Sequence, residues 1–200
     1  MSNPASNVPA AKRGTFLQSL AGWRKDQRGT TAVEFGMVAG PFLLFAFSIT
    51  GLGLYWLATS QLNHAVSTAS RQIRTGSAQR ENKTVAEFKQ LVCDSLTNFI
   101  ECNANLQVHV RSFDQWADVE PVDCIEADGA GLRQTEGSPT DSLTVSAGGA
   151  SEVVMVTLCY EWELAQSMPW LFLAAKDGDG QPQLEGAALI QASAIFRTEP

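Results

Sequence analysis

One stretch decides the interpretation of this sequence: DQRGTTAVEFGMVAGPFLLFAFSITGLGLYWLA, residues 26–58. Within it, residues 35–58 form a run of 24 residues without a formal charge. A helix of that length would extend about 36 Å, enough to cross a hydrocarbon core of about 30 Å. Tyr55 and Trp56 lie at its far end, where membrane helices carry an aromatic belt. We therefore predict a transmembrane helix over residues 30–58, in preference to the buried helix of a soluble enzyme.

Charge differs sharply between the two sides of this run. The segment through Gly29 has five Lys and Arg against one Asp, a net charge of +4, and the residues beyond Ala58 have nine against nineteen acidic residues, a net charge of −10. Because basic segments stay on the cytoplasmic side of a membrane, we expect a cytoplasmic leader over residues 1–29 and a periplasmic or extracellular domain over residues 59–200. An acidic domain does not attract phosphates, so we expect no nucleic-acid partner.

A secretory signal peptide also has a basic start followed by an apolar run. Its apolar region has about 7 to 15 residues and is followed by a cleavage site of small residues. Here the run is far longer, and the small residues after it, such as those around Ala65, fall in a predicted helix. Cleavage before the apolar run is more consistent with the pattern, and Gly29 is the glycine at that position.

The residues around Gly29 resemble the processing site of type IV prepilins, particularly of the tight-adherence (Tad) branch. In RGTTAVEF, residues 28–35, the glycine precedes the bond that prepilin peptidase cuts, and Thr30 becomes the first mature residue. Glu34 is then the fifth mature residue and Phe35 the sixth. The major pilins of that branch usually have tyrosine at the sixth position, so the phenylalanine of this sequence is more similar to the pseudopilins.

Further likeness to TadE-like minor pilins lies in RQIRTGSAQ (71–79), VCDSL (92–96) and AIFRTEP (194–200), and it is weakest between Trp116 and Gly149. The resemblance implies a pseudopilin that prepilin peptidase processes and that acts in assembly or initiation of a Tad-type adhesive pilus. The implied partners are that peptidase, other major and minor pilins, the inner-membrane assembly platform and the lipid bilayer. By this resemblance, the protein would be the substrate of an enzyme and would not be an enzyme itself. It would need no cofactor and no metal ion.

Glu34 has a physical interpretation of its own. A carboxylate within a membrane segment costs a few kcal/mol, so such a residue suggests a function by default. Cleavage after Gly29 would create an α-ammonium group on Thr30, and Glu34 of an adjacent subunit would be a suitable partner, since neither charge is easily buried alone. The alternative is an interfacial glutamate that the positive end of the helix stabilises.

Beyond the membrane, the helix is predicted to continue as a stalk over residues 59–75 and to stop at Gly76. Its apolar residues recur at helical period and form one stripe: Ala58, Leu62, Ala65, Val66, Ala69 and Ile73. Residues 84–99 predict a second helix with an apolar face. Gly40, Pro41, Gly51 and Gly53 interrupt the membrane segment, and the glycines either permit close helix packing or only soften the helix.

Strands are predicted over residues 106–113, 153–164 and 187–196 from alternating apolar residues. In the second strand, one face carries Val154, Val156, Leu158, Tyr160, Trp162 and Leu164. Residues 118–149 predict a long loop with little core of its own, and SMPWLFLAAKDGDG (167–180) predicts a short helix and a turn. The expected fold class is α+β: a long N-terminal transmembrane and stalk helix, a second helix, and a small, mainly antiparallel sheet, as in pilins.

Four cysteines in an exported domain predict two disulfides among Cys93, Cys102, Cys124 and Cys159. On one continuous helix, Cys93 and Cys102 would stand about 13 Å apart, too far to bond, so pairing them requires the chain to turn back. Cys124 and Cys159 would then join the long loop to the middle strand. The family resemblance supports the first pair better than the second, and a zinc site is disfavoured because ligand spacing is absent.

Other functions have weaker support. His64 and His109 lack an accompanying nucleophile-elbow or phosphate-loop motif, and we interpret both as surface or packing residues. The segment from Asp177 predicts a hairpin turn and lacks the spacing of an EF-hand calcium loop. Trp116, Trp162 and Trp170 are candidates for partner contacts, with Trp162 better explained as core. The alternative function is an uncleaved single-span protein whose acidic domain senses or binds a ligand in the periplasm.

Overall fold

The computed structural model describes residues 29–97, 100–135, 143, 149 and 151–199. Its helices are α1 (Thr30–Arg74), α2 (Ser77–Arg80), α3 (Val85–Ser95) and α4 (Cys102–Asn105). Its strands are β1 (Leu106–Phe113), β2 (Val153–Trp162) and β3 (Ala188–Arg197). Short 3₁₀ turns cover Trp116–Asp118, Glu163–Ser167, Pro169–Leu171 and Leu184–Gly186. The chain forms two compact units that divide between Phe47 and Ser48.

The first unit contributes only the start of α1 to the described chain. Its large apolar side chains are exposed, among them Val33, Phe35, Met37, Phe42 and Phe45. Pro41 lies inside the helix, which continues through it. Within the described residues no core covers this apolar helix, which is the pattern expected of a segment that meets lipid or another helix.

The second unit is an α+β domain, so the predicted fold class is confirmed. In the described part of the chain, the sheet has three strands in the order β1-β2-β3, and both neighbouring pairs are antiparallel. Leu106 pairs with Tyr160 at one end of β1, and Phe113 pairs with Val153 at the other. This antiparallel arrangement confirms the small sheet predicted from the alternating sequence.

The C-terminal half of α1 packs on this sheet. Every residue of the predicted stripe, from Ala58 to Ile73, is buried in the main core. Phe88 and Val92 of α3 join that core, together with the face of β2 that begins at Val154. The predicted end of α1 is also confirmed: Gly76 adopts φ +68°, and its N–H donates to the carbonyl of Ile73 at 3.0 Å. A left-handed glycine stops the helix there.

The second predicted helix begins at the expected residue and ends early. Thr84 is the N-cap of α3: its hydroxyl accepts from the N–H of Glu87, and its own N–H donates to the Glu87 carboxylate at 2.8 Å. These bonds lower the pKa of Glu87, chiefly through the backbone hydrogen bond from Thr84. The helix ends at Ser95 because Leu96 is extended, so the predicted extension to residue 99 is wrong as far as the described residues reach. The two one-turn helices α2 and α4 were not predicted.

The long loop has more core than the sequence suggested. Cys124, Ile125 and Leu132 are buried in a second cluster, against Cys159 of β2 and the turn at Leu184. The N–H of Arg133 donates to the carbonyl of Cys124 at 2.9 Å, which closes a turn between them. The expectation of little core in this loop is therefore wrong. The loop covers part of the second face of β2, at Cys159.

The segment after β2 contains the predicted short helix and turn. Leu164 does not continue the strand: it lies in the 3₁₀ turn Glu163–Ser167 and is 39% exposed, so its assignment to the inner face of β2 is wrong. The turn at Asp177 forms as predicted. Its carboxylate accepts from the N–H groups of Asp179 and Gln181, at 3.0 and 2.7 Å, so that carboxylate organises the turn.

Candidate functional site

The candidate site lies at the start of α1. Gly29 directly precedes the helix, Thr30 is its first residue, and Glu34 and Phe35 follow within the first two turns. All four residues are exposed, and Phe35 is 73% exposed. A Cβ built on Gly29 would meet no atom of the described residues within 4 Å. Nothing in the described fold therefore requires glycine at this position.

Helix α1 is long and apolar enough to span a membrane. Only 6% of its most apolar window is buried within the protein. This differs from the core helix of a soluble protein, whose apolar residues are mostly covered. The exposed apolar surface begins next to the candidate site and continues along the first unit, so Glu34 is a carboxylate in a strongly apolar neighbourhood.

The glycines of α1 differ in their surroundings. A Cβ on Gly36, Gly40 or Gly53 would meet no described atom within 4 Å. Gly51 is buried instead: its Cβ would lie 2.6 Å from Sδ of Met168 and 2.8 Å from Cδ1 of Leu171. The close packing considered for these glycines thus occurs at Gly51, against a loop of the same compact unit.

Two aromatic contacts hold this part of α1 to the outer domain. The indole N–H of Trp170 donates to the hydroxyl of Ser48, at 3.2 Å. The rings of Tyr55 and Trp162 stand 5.5 Å apart with a tilt of 58°, a geometry that aromatic pairs favour. Trp162 is buried, as predicted, whereas Trp116 and Trp170 remain 58% and 41% exposed. No sequence pattern indicated that the outer domain would contact α1 as far toward its N-terminus as Ser48.

The four cysteines form two disulfides, Cys93–Cys102 and Cys124–Cys159, with Cα atoms 5.7 and 5.6 Å apart. The first joins α3 to α4, because the chain turns back after α3 ends at Ser95. The second joins the long loop to the middle of β2. Cys124 and Cys159 are buried, while Cys93 and Cys102 are half-buried. The prediction of disulfides in the outer domain is confirmed, and both pairs are the ones considered from the sequence.

The remaining candidate residues are the two histidines and the carboxylates of the outer domain. His64 is exposed on α1, and His109 is buried in β1 opposite Thr157, which matches the interpretation as surface and packing residues. Burial raises the pKa of the Glu161 carboxyl, and the nearby charges of Glu163 and Glu185 raise it further. Among the described residues, no group of three or more His, Cys, Asp or Glu side chains is placed to hold a metal ion.

An apolar N-terminal helix long enough to span a membrane, followed by a small α+β domain, is the arrangement predicted from the likeness to pilins. The family described as TadE-like protein matches residues 29–71, from Gly29 almost to the end of α1. The recognition of a TadE-like protein from its sequence is therefore confirmed over this segment, and it relates the protein to the Tad pilus system. That family is structural and non-enzymatic. No curated protein matches the chain, and no solved structure matches it.

Proposed function

We propose that this protein is a TadE-like pseudopilin. Residues 1–29 are the cytoplasmic leader of a precursor, and a membrane aspartic prepilin peptidase cleaves it between Gly29 and Thr30. The mature protein then enters a Tad-type adhesive pilus in small amounts, where it starts or regulates assembly. The single observation that carries this proposal is the TadE-like match, which begins at Gly29, next to the start of an exposed apolar helix.

The surroundings of Gly29 support cleavage at this bond. Since the described fold leaves open space around the Cα of Gly29, the glycine is better explained by an external requirement than by packing within the chain. A narrow subsite of the peptidase would be such a requirement, because glycine has no side chain. The bond also lies at the end of α1, where the backbone is accessible and is not held inside the helix.

Glu34 is proposed to guide assembly. On cleavage, Thr30 gains a positive α-ammonium group one helical turn before Glu34 in the sequence. When subunits leave the lipid and stack, the ammonium group of one subunit pairs with Glu34 of its neighbour, and each charge offsets the desolvation of the other. Glu34 is exposed, so it is free of the chain's own core and accessible to a neighbouring subunit.

The proposed location is the inner membrane, crossed once. The net charge of +4 through Gly29 supports a cytoplasmic N-terminus, with the acidic outer domain in the periplasm or in the pilus. The disulfides Cys93–Cys102 and Cys124–Cys159 suit an oxidising compartment. The proposed partners are the prepilin peptidase, other major and minor pilins, and the inner-membrane assembly platform.

Cleavage is tested by the Gly29→Val variant in cells with an active prepilin peptidase. We expect the precursor to accumulate, with its leader retained, because the valine side chain does not fit where glycine does. Gly53→Val is the control, since Gly53 is likewise exposed and a Cβ there would meet no described atom within 4 Å, but it lies inside α1, away from the proposed bond. N-terminal sequencing and intact mass give the readout. Normal processing of Gly29→Val would refute the requirement for glycine at the proposed site. A leader retained by the wild-type protein would refute cleavage itself and favour the uncleaved ligand-binding alternative.

The role of Glu34 is tested separately. Glu34→Ala and Glu34→Gln are both expected to be cleaved but to assemble fewer pili, because each removes the negative charge. Glu34→Gln keeps the size and polarity of the side chain, so it separates the effect of the charge from the effect of side-chain shape. Pili are counted by electron microscopy, and cleavage is checked by mass in the same cells. Normal piliation of both variants would contradict the charge-pairing role while leaving the processing site intact.

A further inference from the structure

One loop of the acidic domain is uncharged and rich in large apolar residues. Residues 164–175 have no charged side chain, although the domain around them is strongly acidic. Pro169–Leu171 forms a 3₁₀ turn at its centre, and Phe172 follows in the left-handed conformation with φ +53°. Phe172 is 82% exposed. A bulky residue in this unfavourable conformation, directed away from the core, is not explained by packing within the protein.

This loop contacts α1 at residues 48–51. Met168 and Leu171 cover Gly51, and the indole of Trp170 donates to Ser48. On the same helix, Ile49 and Leu52 are exposed apolar residues close to these contacts in sequence. The loop thus packs on α1 where that helix also carries exposed apolar residues. We call residues 48–52 and 168–173 together the apolar collar.

The length of α1 decides what covers the apolar collar. If the loop stayed outside the bilayer, Ser48 would be outside as well. Only residues 35–47 would then remain as charge-free helix, which is about 20 Å at 1.5 Å per residue. A hydrocarbon core is about 30 Å thick, so this segment would be about 10 Å too short. With the collar in the outer leaflet, the charge-free segment in the membrane extends through Leu52, and residues 35–52 span about 27 Å, close to the thickness of the bilayer core.

We propose that the apolar collar inserts into the outer leaflet of the inner membrane, with Trp170 and Phe172 among the acyl chains and headgroups. The occupant of this surface is lipid, and the folded domain rests on the membrane instead of standing on a free stalk. Trp170 suits this position, because indole rings prefer the boundary between acyl chains and headgroups. The inference rests on the membrane span in the proposed function and does not require cleavage at Gly29.

Photocrosslinking in native membranes tests the proposal with the full-length protein. Phe172 is replaced by p-benzoylphenylalanine, an aromatic residue that reacts with nearby C–H bonds on illumination. Trp116 is the matched control: it is an exposed aromatic residue of the same domain, and it follows Phe113, at the end of the sheet opposite Trp162 and the loop. Mass spectrometry identifies the crosslinked partner, and a non-reducing gel verifies both disulfides.

We expect phospholipid adducts at position 172 at several times the yield found at position 116. Equal yields at the two positions would overturn the proposal, as would adducts at position 172 with protein only, which would assign the collar to another pilin. N-terminal sequencing of the same sample keeps the two proposals separate. Lipid adducts on a chain that retains its leader would support the membrane contact and refute processing. A chain that starts at Thr30 without lipid adducts would support processing and refute the membrane contact.

Discussion

The two disulfides are expected to differ in what they contribute to the stability of the outer domain. The two cysteines of Cys93–Cys102 are 9 residues apart in the sequence, and those of Cys124–Cys159 are 35 residues apart. In the chain-entropy description, these loops give about 2.6 and about 3.8 kcal/mol at 25 °C, because the longer crosslink removes more freedom from the unfolded chain. Packing acts in the same direction, since Cys124 and Cys159 are buried.

The perturbation is a pair of double variants, Cys93→Ala with Cys102→Ala and Cys124→Ala with Cys159→Ala. Thermal unfolding of the outer domain is measured on the full-length protein in detergent by near-ultraviolet circular dichroism. The difference of about 1.2 kcal/mol corresponds to about 4 °C in Tm for a domain of this size. We expect the second variant to have the lower Tm, by at least this amount.

A specific result would refute this reasoning. If loss of Cys93–Cys102 lowered Tm as much as loss of Cys124–Cys159, the long loop would contribute little to the folded domain. Its contacts with the second face of β2, through Ile125 and Leu132, would then not stabilise the structure. The reduced wild-type protein is the control, since both bonds are absent from it and its Tm should lie below that of either variant.

Three further changes test other parts of the structure. Leu62→Ala should lower the unfolding free energy by about 3 kcal/mol, because Leu62 is fully buried. Leu164 is partly exposed, so Leu164→Ala should lower it by well under half of that amount. Chemical denaturation measures both changes. Thr84→Ala should cost about 1 kcal/mol by removing the N-cap of α3, and Thr84→Ser should restore most of it. Glu161→Gln should raise stability at neutral pH, because the folded state raises the pKa of this carboxyl and so disfavours its charged form. That gain should fall as pH decreases and vanish below the ordinary glutamate pKa, which Tm measured across pH verifies.

Much of this fold follows from local periodicity. The stripe from Ala58 to Ile73 repeats at helical spacing, so it predicts both the helix and its buried face, and Gly76 marks where it ends. The strand at Leu106 follows from alternation in the same way. The proposed processing site is likewise a local pattern, because Gly29 and Glu34 are separated by a fixed number of residues. Such signals depend only on neighbours in sequence, which is why the sequence alone predicts them.

The second core was not predictable in this manner. Residues 118–149 are rich in Gly, Ser, Asp and Pro, and their few apolar residues have no period. Ile125 and Leu132 are buried only because the disulfide at Cys124 and a turn hold the loop against β2. The same holds for the early end of α3, where the apolar pattern continues but the chain turns back to form Cys93–Cys102. Covalent and long-range constraints override the local pattern at both places.

Gly51 shows how a long-range contact changes the meaning of a local signal. In the sequence, this glycine is one of several that interrupt a transmembrane segment, and it suggests a contact with another helix. In the structure, the partner is the loop at Met168, which is more than a hundred residues away in the same chain. A Cβ at position 51 would already collide with Met168 and Leu171 of that loop, whereas one at position 53 would meet no described atom within 4 Å. Glycines of the same helix thus have different functions, and only the fold distinguishes the one that seats the apolar collar from those left for other subunits or for lipid.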